Sequence, residues 1–312
     1  MEIIKIENPI EDMMESSISE KDLDNYFKNI QEAVEGKNSN ALQELDEANI
    51  LGVIGATGAA IGIIILAIRK YLKNKYTLAI KKILTHSKEI NDMYTKVEDL
   101  LKHDRMVRFK YRNTPVDVSI YDVVLHDTQD PRKYYNLAVD YLIYNYEYFV
   151  NEIHSIMKYI QEKSVDKDSD LDKMINSLLE VIDKGFQERH WFVERLEPEI
   201  RTQDFKGVKM ESAIMRTKEA IGPYYNNIYV INKYVANELQ YLQIIQQSYN
   251  TTSAIYANDK HGKKLVDVVF KKLLENMTKS IDFNNKVIDS LTIVFNNYYD
   301  QIVRLYDILK NA

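Results

Sequence analysis

Apolar residues recur along most of this chain at the three- and four-residue spacing of an amphipathic α-helix. The pattern predicts long helices at about residues 69–103, 132–163, 170–186, 208–257 and 262–310. Only 9 Gly and 5 Pro occur in 312 residues. Because these residues form most tight turns, we do not expect a β-sandwich or barrel. The sequence predicts a mainly α protein, an elongated bundle of long helices with one short β-hairpin.

A seven-residue repeat of apolar positions runs through the stretch at 208–257. Sustained heptads predict coiled-coil-like packing along one face of a helix, against this chain's own helices or against a second copy. Thr217 and Glu238 are polar and weaken the seam, and Gly222-Pro223 predicts a kink. The repeat positions are Ile214, Ile221, Ile228, Val235, Leu242 and Tyr249.

Period-two alternation appears at residues 105–120. Arg108, Lys110 and Arg112 alternate with apolar residues, and a second alternating run follows Pro115. Two such runs around a short turn predict a β-hairpin with one basic face. That face is either a surface for the phosphates of lipid or nucleic acid, or a solvated edge whose charges discourage aggregation. The second interpretation is favoured, because three charges are few.

Residues 50–68 form a run of 19 residues without charge, just long enough to cross a bilayer. The run contains four glycines, which cost about 1 kcal/mol each relative to Ala in a helix exposed to water. The last two form a GxxxG pair, a spacing that lets helices approach closely in lipid. The run predicts a membrane-seeking helix, with a buried helix of a soluble bundle as the alternative. The residues predicted to contact lipid are Ile50, Gly52, Gly55, Gly58, Gly62, Ile64 and Leu66.

The net charge changes sign where this run begins. Residues 1–47 carry 4 Lys and 13 acidic residues, a balance of −9; since the whole chain has −6, residues 48–312 sum to +3. Basic residues follow the run, and the first two, Arg69 and Lys70, are further candidates for phosphate contact. If the run spans a bilayer, this basic cluster stays on the cytoplasmic side.

Four segments follow from these patterns. An acidic leader occupies residues 1–47, and an apolar helix continuing into a basic helix occupies 48–104. A hairpin and linker occupy 105–130, and an α-helical bundle occupies 131–312.

The sequence carries no recognisable catalytic motif. The absence of cysteine excludes disulfides, Cys-ligated metal sites and thiol catalysis. The six histidines are scattered without metal-binding spacing. The glycines at 55–62 lack the dinucleotide-binding spacing, and the aspartates at 166–172 lack the Gly and Glu of a calcium loop. We therefore expect a non-enzymatic protein that uses no cofactor and no metal.

Two tetrapeptides of the leader share one form, Ile or Leu, any residue, Glu and Ala. They are Ile-Gln-Glu-Ala, ending in Glu32 and Ala33, and Leu-Asp-Glu-Ala, ending in Glu47 and Ala48. They resemble the sites cut by the prohead protease of large contractile-tailed bacteriophages. Internal head proteins of those phages carry an N-terminal leader that directs packaging and is then removed. The resemblance covers only residues 1 to about 48, and it implies a proteolytically matured virion protein.

Cleavage after Glu47 would remove the acidic leader and leave an apolar N-terminus at Ala48. Because burying charge in a bilayer is costly, we expect the cut to convert a soluble form into a membrane-seeking one. The hypothesis is a protein packaged inside a phage head, matured by a prohead-type protease and ejected towards the host membrane to assist DNA delivery. Its expected partners are the lipid membrane, that protease, and other virion proteins or itself.

Nucleic acid is only weakly indicated as a partner, because a charge of +3 is low for a DNA-condensing protein. One alternative hypothesis is a single-span protein of the bacterial inner membrane with a helical interaction domain. The other is an α-helical pore-forming toxin.

Overall fold

The computed structural model describes residues 20–36, 59–125, 131–162, 168–191, 193 and 195–311. The fold is mainly α with one two-stranded antiparallel sheet, as predicted. The chain forms two compact units, residues 1–78 and 79–312, with the boundary inside α2. The helices are α1 (Glu20–Glu35), α2 (Ala59–His103), α3 (Arg105–Asn113), α4 (Pro131–Glu162), α5 (Asp168–Arg189), α6 (Met210–Ile221), α7 (Asn227–Ile255) and α8 (Lys260–Lys310); the strands are β1 (Pro115–Leu125) and β2 (Pro198–Lys209).

The first unit contains α1 and the first part of α2. The apolar residues of α1 recur at three- and four-residue spacing and form one buried face, while the acidic residues Asp22 and Asp24 are exposed. The described part of the apolar run is continuous with the basic helix that follows, because both belong to α2. The buried residues of α1 are Leu23, Phe27, Ile30, Ala33 and Val34.

The second unit is organised around α8, which has 51 residues. It contacts α3 to α7 and both strands. Asp259 caps its N-terminus by accepting a hydrogen bond from the backbone N–H of His261 at 2.9 Å. Beyond Gly262 the helix contains neither Gly nor Pro, so nothing in the sequence interrupts it.

The predicted kink is present between α6 and α7. Residues Gly222–Asn226 form a 3₁₀ segment there, since Pro223 has no N–H to donate and its ring disfavours a regular helix. The heptad seam on either side packs within the chain, as α7 contacts α4 and α8. Thr217 and Glu238 are buried in it despite their polarity.

The sheet differs from the predicted hairpin in its first strand. Residues 105–112 were predicted to be a strand and instead lie in α3, so this assignment is wrong. Asp104 caps α3 by accepting hydrogen bonds from the N–H groups of Met106 (2.7 Å) and Val107 (3.2 Å). The partner of β1 is β2, with Pro115 opposite Lys209 and Leu125 opposite Pro198.

The edge of β1 is closed by side chains of α8 and the 3₁₀ segment. Their polar groups bind alternate backbone positions, which prevents this edge from pairing with another strand. The backbone N–H groups of β1 donate hydrogen bonds to these side chains: Ser119 N to Gln301 Oε1 (2.7 Å), Tyr121 N to Tyr298 OH (2.9 Å) and Val123 N to Tyr224 OH (3.4 Å).

Candidate functional site

The helix of the acidic leader lies directly on the first half of α2. The rings of Phe27 and Tyr71 stack with centroids 4.5 Å apart and planes 24° apart. Asp24 Oδ1 lies 3.4 Å from Lys75 Nζ. A further contact places Lys70 Nζ 5.6 Å from the centre of the Tyr26 ring. We call this set of residues the leader contact.

The leader contact is antiparallel, because residue numbers rise along α1 as they fall along α2. Both helices advance about 1.5 Å per residue, so the same register continues beyond the observed pairs. It places Ile30 level with Ile68 and Val34 level with Ile64. All four side chains are at most 3% exposed. The register therefore predicts that the apolar face of α1 continues along the described part of the apolar run, beyond the observed contacts at Lys70, Tyr71 and Lys75.

Apolar packing, rather than charge, holds the leader contact together. Phe27 is 6% exposed and Tyr71 is 1% exposed. Burial of an aromatic side chain of this size stabilises by about 2–3 kcal/mol, and the ring stack adds about 1 kcal/mol. The Asp24 carboxylate is 66% exposed, so its ion pair with Lys75 contributes at most about 1 kcal/mol.

The residues predicted to contact lipid divide into two groups. Gly62 and Ile64 are buried and Leu66 is half-buried, all three in the first turns of α2. Ile50, Gly52, Gly55 and Gly58 lie outside the described residues. Within the described ranges, no helix combines enough length with enough apolarity to cross a bilayer.

The two predicted cleavage sites are in different situations. The bond between Glu32 and Ala33 lies inside α1, where Ala33 is 5% exposed and Glu32 pairs with Lys28 at 3.9 Å. A protease reaches such a bond only when the helix opens locally. Glu47 and Ala48 lie outside the described residues.

The residues predicted to contact phosphate do not form one basic face. Arg108 and Arg112 are exposed and share a face of α3, since they are four residues apart. Lys110 is two residues from each and points elsewhere, so the prediction of a single three-charge stripe is wrong. Arg69 is half-buried and Lys70 is exposed, both on α2 in the first unit.

A buried polar stripe on α8 was not predicted from the sequence. Asn276, Ser280 and Asn284 are at most 1% exposed, and the hydroxyl groups of Tyr141 and Ser280 are 2.7 Å apart. Their spacing of four residues is a signal that the sequence does contain. This spacing alone does not predict burial, because buried apolar residues occupy the same turns of α8.

A second cluster of polar side chains lies between α4 and α7, around the buried residue Tyr241. Burial, together with the nearby carboxylates of Glu152 and Glu238, raises the pKa of Tyr241 well above its usual value. Glu152 and Glu238 are themselves at most 8% exposed. The raised pKa keeps Tyr241 neutral at physiological pH. Burial and the two carboxylates explain the shift without a bound substrate.

Comparison of the chain with protein-family models, with curated proteins and with solved structures finds no match.

Proposed function

We propose that this protein is a non-enzymatic, membrane-inserting protein whose acidic leader keeps an apolar helix compatible with water until proteolysis releases it. The observation that supports this function is the antiparallel leader contact, in which α1 packs on α2 directly after the apolar run, in a register that extends over the run itself. An acidic amphipathic helix gives the apolar helix a polar outer surface, because its charged face is exposed.

Cleavage after Glu47 acts on this arrangement by separating α1 from α2 in the chain. While the two are linked, α1 rebinds as an intramolecular partner at an effective concentration on the order of millimolar. After the cut, a dissociated leader is diluted, and α2 exposes the surface that α1 had covered. The exposed apolar residues then gain free energy by entering lipid, about 25 cal/mol for each Å² removed from water.

The biological setting that we propose is the head of a tailed bacteriophage, as an internal virion protein matured by a prohead-type protease. Support comes from the two Glu-Ala sites in the leader and from the position of the second at the charge boundary. Ejection with DNA would bring the matured chain to the host membrane. A constitutive single-span anchor fits less well, because α1 lies where a lipid-exposed helix would meet the bilayer.

Vesicle flotation tests the proposal. The residues around the Glu47–Ala48 bond are replaced by the recognition sequence of a site-specific protease, and the full chain is mixed with anionic lipid vesicles before or after cutting. We expect the uncut chain to remain unbound and the cut chain to float with the vesicles.

The matched control is the same chain with a scrambled recognition sequence, treated with the same protease. Flotation of the uncut chain would support a constitutive anchor, and vesicle leakage without cutting would support a pore-forming toxin. Failure of both forms to bind would exclude membrane insertion. For the virion setting, a particle-bound chain whose peptides run intact across Glu47–Ala48 would contradict the proposal.

A further inference from the structure

The short helix α3 presents two large apolar side chains to solvent. Phe109 is 63% exposed and Met106 is 60% exposed. They are three residues apart and therefore neighbours on one face of the helix. Val107, which is 4% exposed, holds the opposite face in an apolar cluster with residues of β1, α6 and α8. Because Phe109 lies two residues after Val107, about 200° around the helix, its side chain is directed away from this cluster.

Arginine side chains surround Phe109 on the exposed face. Arg105 lies four residues before Phe109 and Arg112 three residues after it, so both are its neighbours on the helix surface, and Arg108 is exposed as well. The helix contains no acidic residue, and Asp104 immediately before it is engaged as its N-terminal cap. Among the residues that the structure describes, no carboxylate forms an ion pair with these three guanidinium groups. Their charges are therefore available to an anionic partner.

This face does not fit the interpretation of the basic residues as the protected edge of a strand. Residues 105–112 belong to a helix, which has no backbone edge that could pair with another strand. Charges that only improve solubility need no apolar neighbours, and exposed Phe and Met side chains reduce solubility. Apolar side chains among arginines are typical of an interfacial membrane contact, in which the apolar groups enter the headgroup boundary and the arginines bind lipid phosphates.

Phosphate groups also occur in nucleic acid, and two observations favour lipid. Met106 has no ring that could stack on a base, although the Phe109 ring could do so. Residues 48–312 sum to only +3, which gives little long-range attraction for a nucleic acid. An anionic lipid surface needs only a local basic patch, because each Lys or Arg near it is attracted separately.

We propose that α3 is a docking surface for anionic lipid membranes. Phe109 and Met106 enter the interface, and Arg105, Arg108 and Arg112 bind the phosphate groups of the lipids. The site belongs to the second unit and does not rest on insertion of α2. One short helix with two apolar side chains anchors less strongly than a single acyl chain, so we expect half-maximal binding on the order of 1 mM lipid. The uncut chain is therefore expected to stay unbound when vesicle flotation is performed at submillimolar lipid.

Tryptophan fluorescence of the uncut chain tests the proposal. Phe109→Trp with Trp191→Phe places the only tryptophan on α3, because the chain has one Trp. Lipids brominated on their acyl chains quench a tryptophan that reaches them. We expect half-maximal quenching at about 1 mM lipid for vesicles of equal phosphatidylserine and phosphatidylcholine. Pure phosphatidylcholine should require at least about tenfold more lipid, because it has no net charge. Raising the salt from about 0.1 M to about 1 M should remove this difference.

Two further measurements identify the surface and the class of partner. Tyr229→Trp with Trp191→Phe places the tryptophan at an exposed position on α7 and should show no quenching by the same vesicles. Single-stranded oligothymidylate is added in place of vesicles to the Phe109→Trp protein. Quenching by the oligonucleotide without a response to anionic vesicles would overturn the proposal in favour of nucleic acid.

Charge variants of the Phe109→Trp protein then test the arginines. Arg105→Gln, Arg108→Gln and Arg112→Gln together should raise the lipid concentration for half-maximal quenching at least about tenfold. The matched control makes the same charge change at exposed lysines of α5 and α8 and should leave this concentration unchanged: Lys173→Gln, Lys184→Gln and Lys271→Gln. Equal quenching by neutral and anionic vesicles, no quenching by either, or an unchanged concentration in the arginine variant would each overturn the proposal. Because the leader stays attached, these results are independent of the flotation of the cut chain.

Discussion

Tyrosine hydroxyl groups bind backbone and side chains throughout the second unit. These bonds join residues on different elements of the fold, so they cannot be predicted from the local sequence pattern. Tyr298 binds β1, and Tyr249 donates to Asp267 Oδ1 at 2.8 Å. Burial is the largest cause that raises the pKa of each of these two tyrosines to about 12. As a consequence, we expect the stability of the folded protein to decrease at alkaline pH.

The sign of that dependence follows from the direction of the shift. A tyrosine whose pKa is raised in the folded state contributes stability that is fully present below the unfolded pKa of about 10. This contribution is lost as the pH rises towards the folded value of about 12. We expect the urea midpoint to fall across this range, and to fall less in Tyr249→Phe.

The control for this measurement is Tyr229→Phe, which removes the hydroxyl of a tyrosine that is 57% exposed. In this variant the urea midpoint should fall with rising pH as much as it does in the natural chain. An equal loss in Tyr249→Phe and in the natural chain would contradict the assignment of this titration to Tyr249.

Phe27 provides a residue-scale test of the leader contact. Phe27→Ala removes the ring that stacks on Tyr71, and a buried Phe replaced by Ala typically costs about 3–5 kcal/mol. We expect hydrogen exchange at the backbone amides of α1 to accelerate strongly. Lys28→Ala, on the exposed side of the same helix turn, should leave this exchange nearly unchanged. Similar exchange in the two variants would show that α1 is held by other contacts.

At the scale of elements, the helices and β1 follow from the spacing of the apolar positions, and β2 does not. All five predicted helical stretches are present, and the break at Gly222-Pro223 is where the residues indicate it. The strand predicted at 105–112 fails because Asp104 caps a helix and a nine-residue segment fits either period. The residues of β2 are largely exposed and polar, so only its pairing with the distant β1 makes it a strand.

The edge of β1 gives an element-scale prediction. Gln301 bonds Ser119 N through Oε1, and its Nε2 donates to Ser119 O (3.1 Å) and Thr217 Oγ1 (2.9 Å). Gln301→Ala leaves the partly buried Ser119 N–H and C=O without this partner, and we expect it to lower the free energy of unfolding by about 3 kcal/mol. Urea denaturation measures the change. Asp300→Ala at the exposed neighbouring position should cost much less, and comparable losses would contradict the role of the side-chain edge closure.

At the scale of the whole molecule, the sequence predicts a separate acidic leader and an apolar run. It does not reveal that the leader contains a helix that packs on α2 directly after that run. That contact joins residues such as Phe27 and Tyr71, far apart in the chain, and depends on complementary surfaces rather than on local periodicity.

The central claim is that α1 must leave α2 before the chain binds lipid, and a reversible cross-link tests it most directly. The chain has no cysteine, so Asp24→Cys with Lys75→Cys provides a unique pair for a reducible bis-maleimide linker. The protein carries the site-specific cut at residue 47 and is mixed with vesicles after cutting. We predict no flotation while the linker is intact and full flotation once it is reduced. Equal flotation of the linked and the reduced protein would contradict the account.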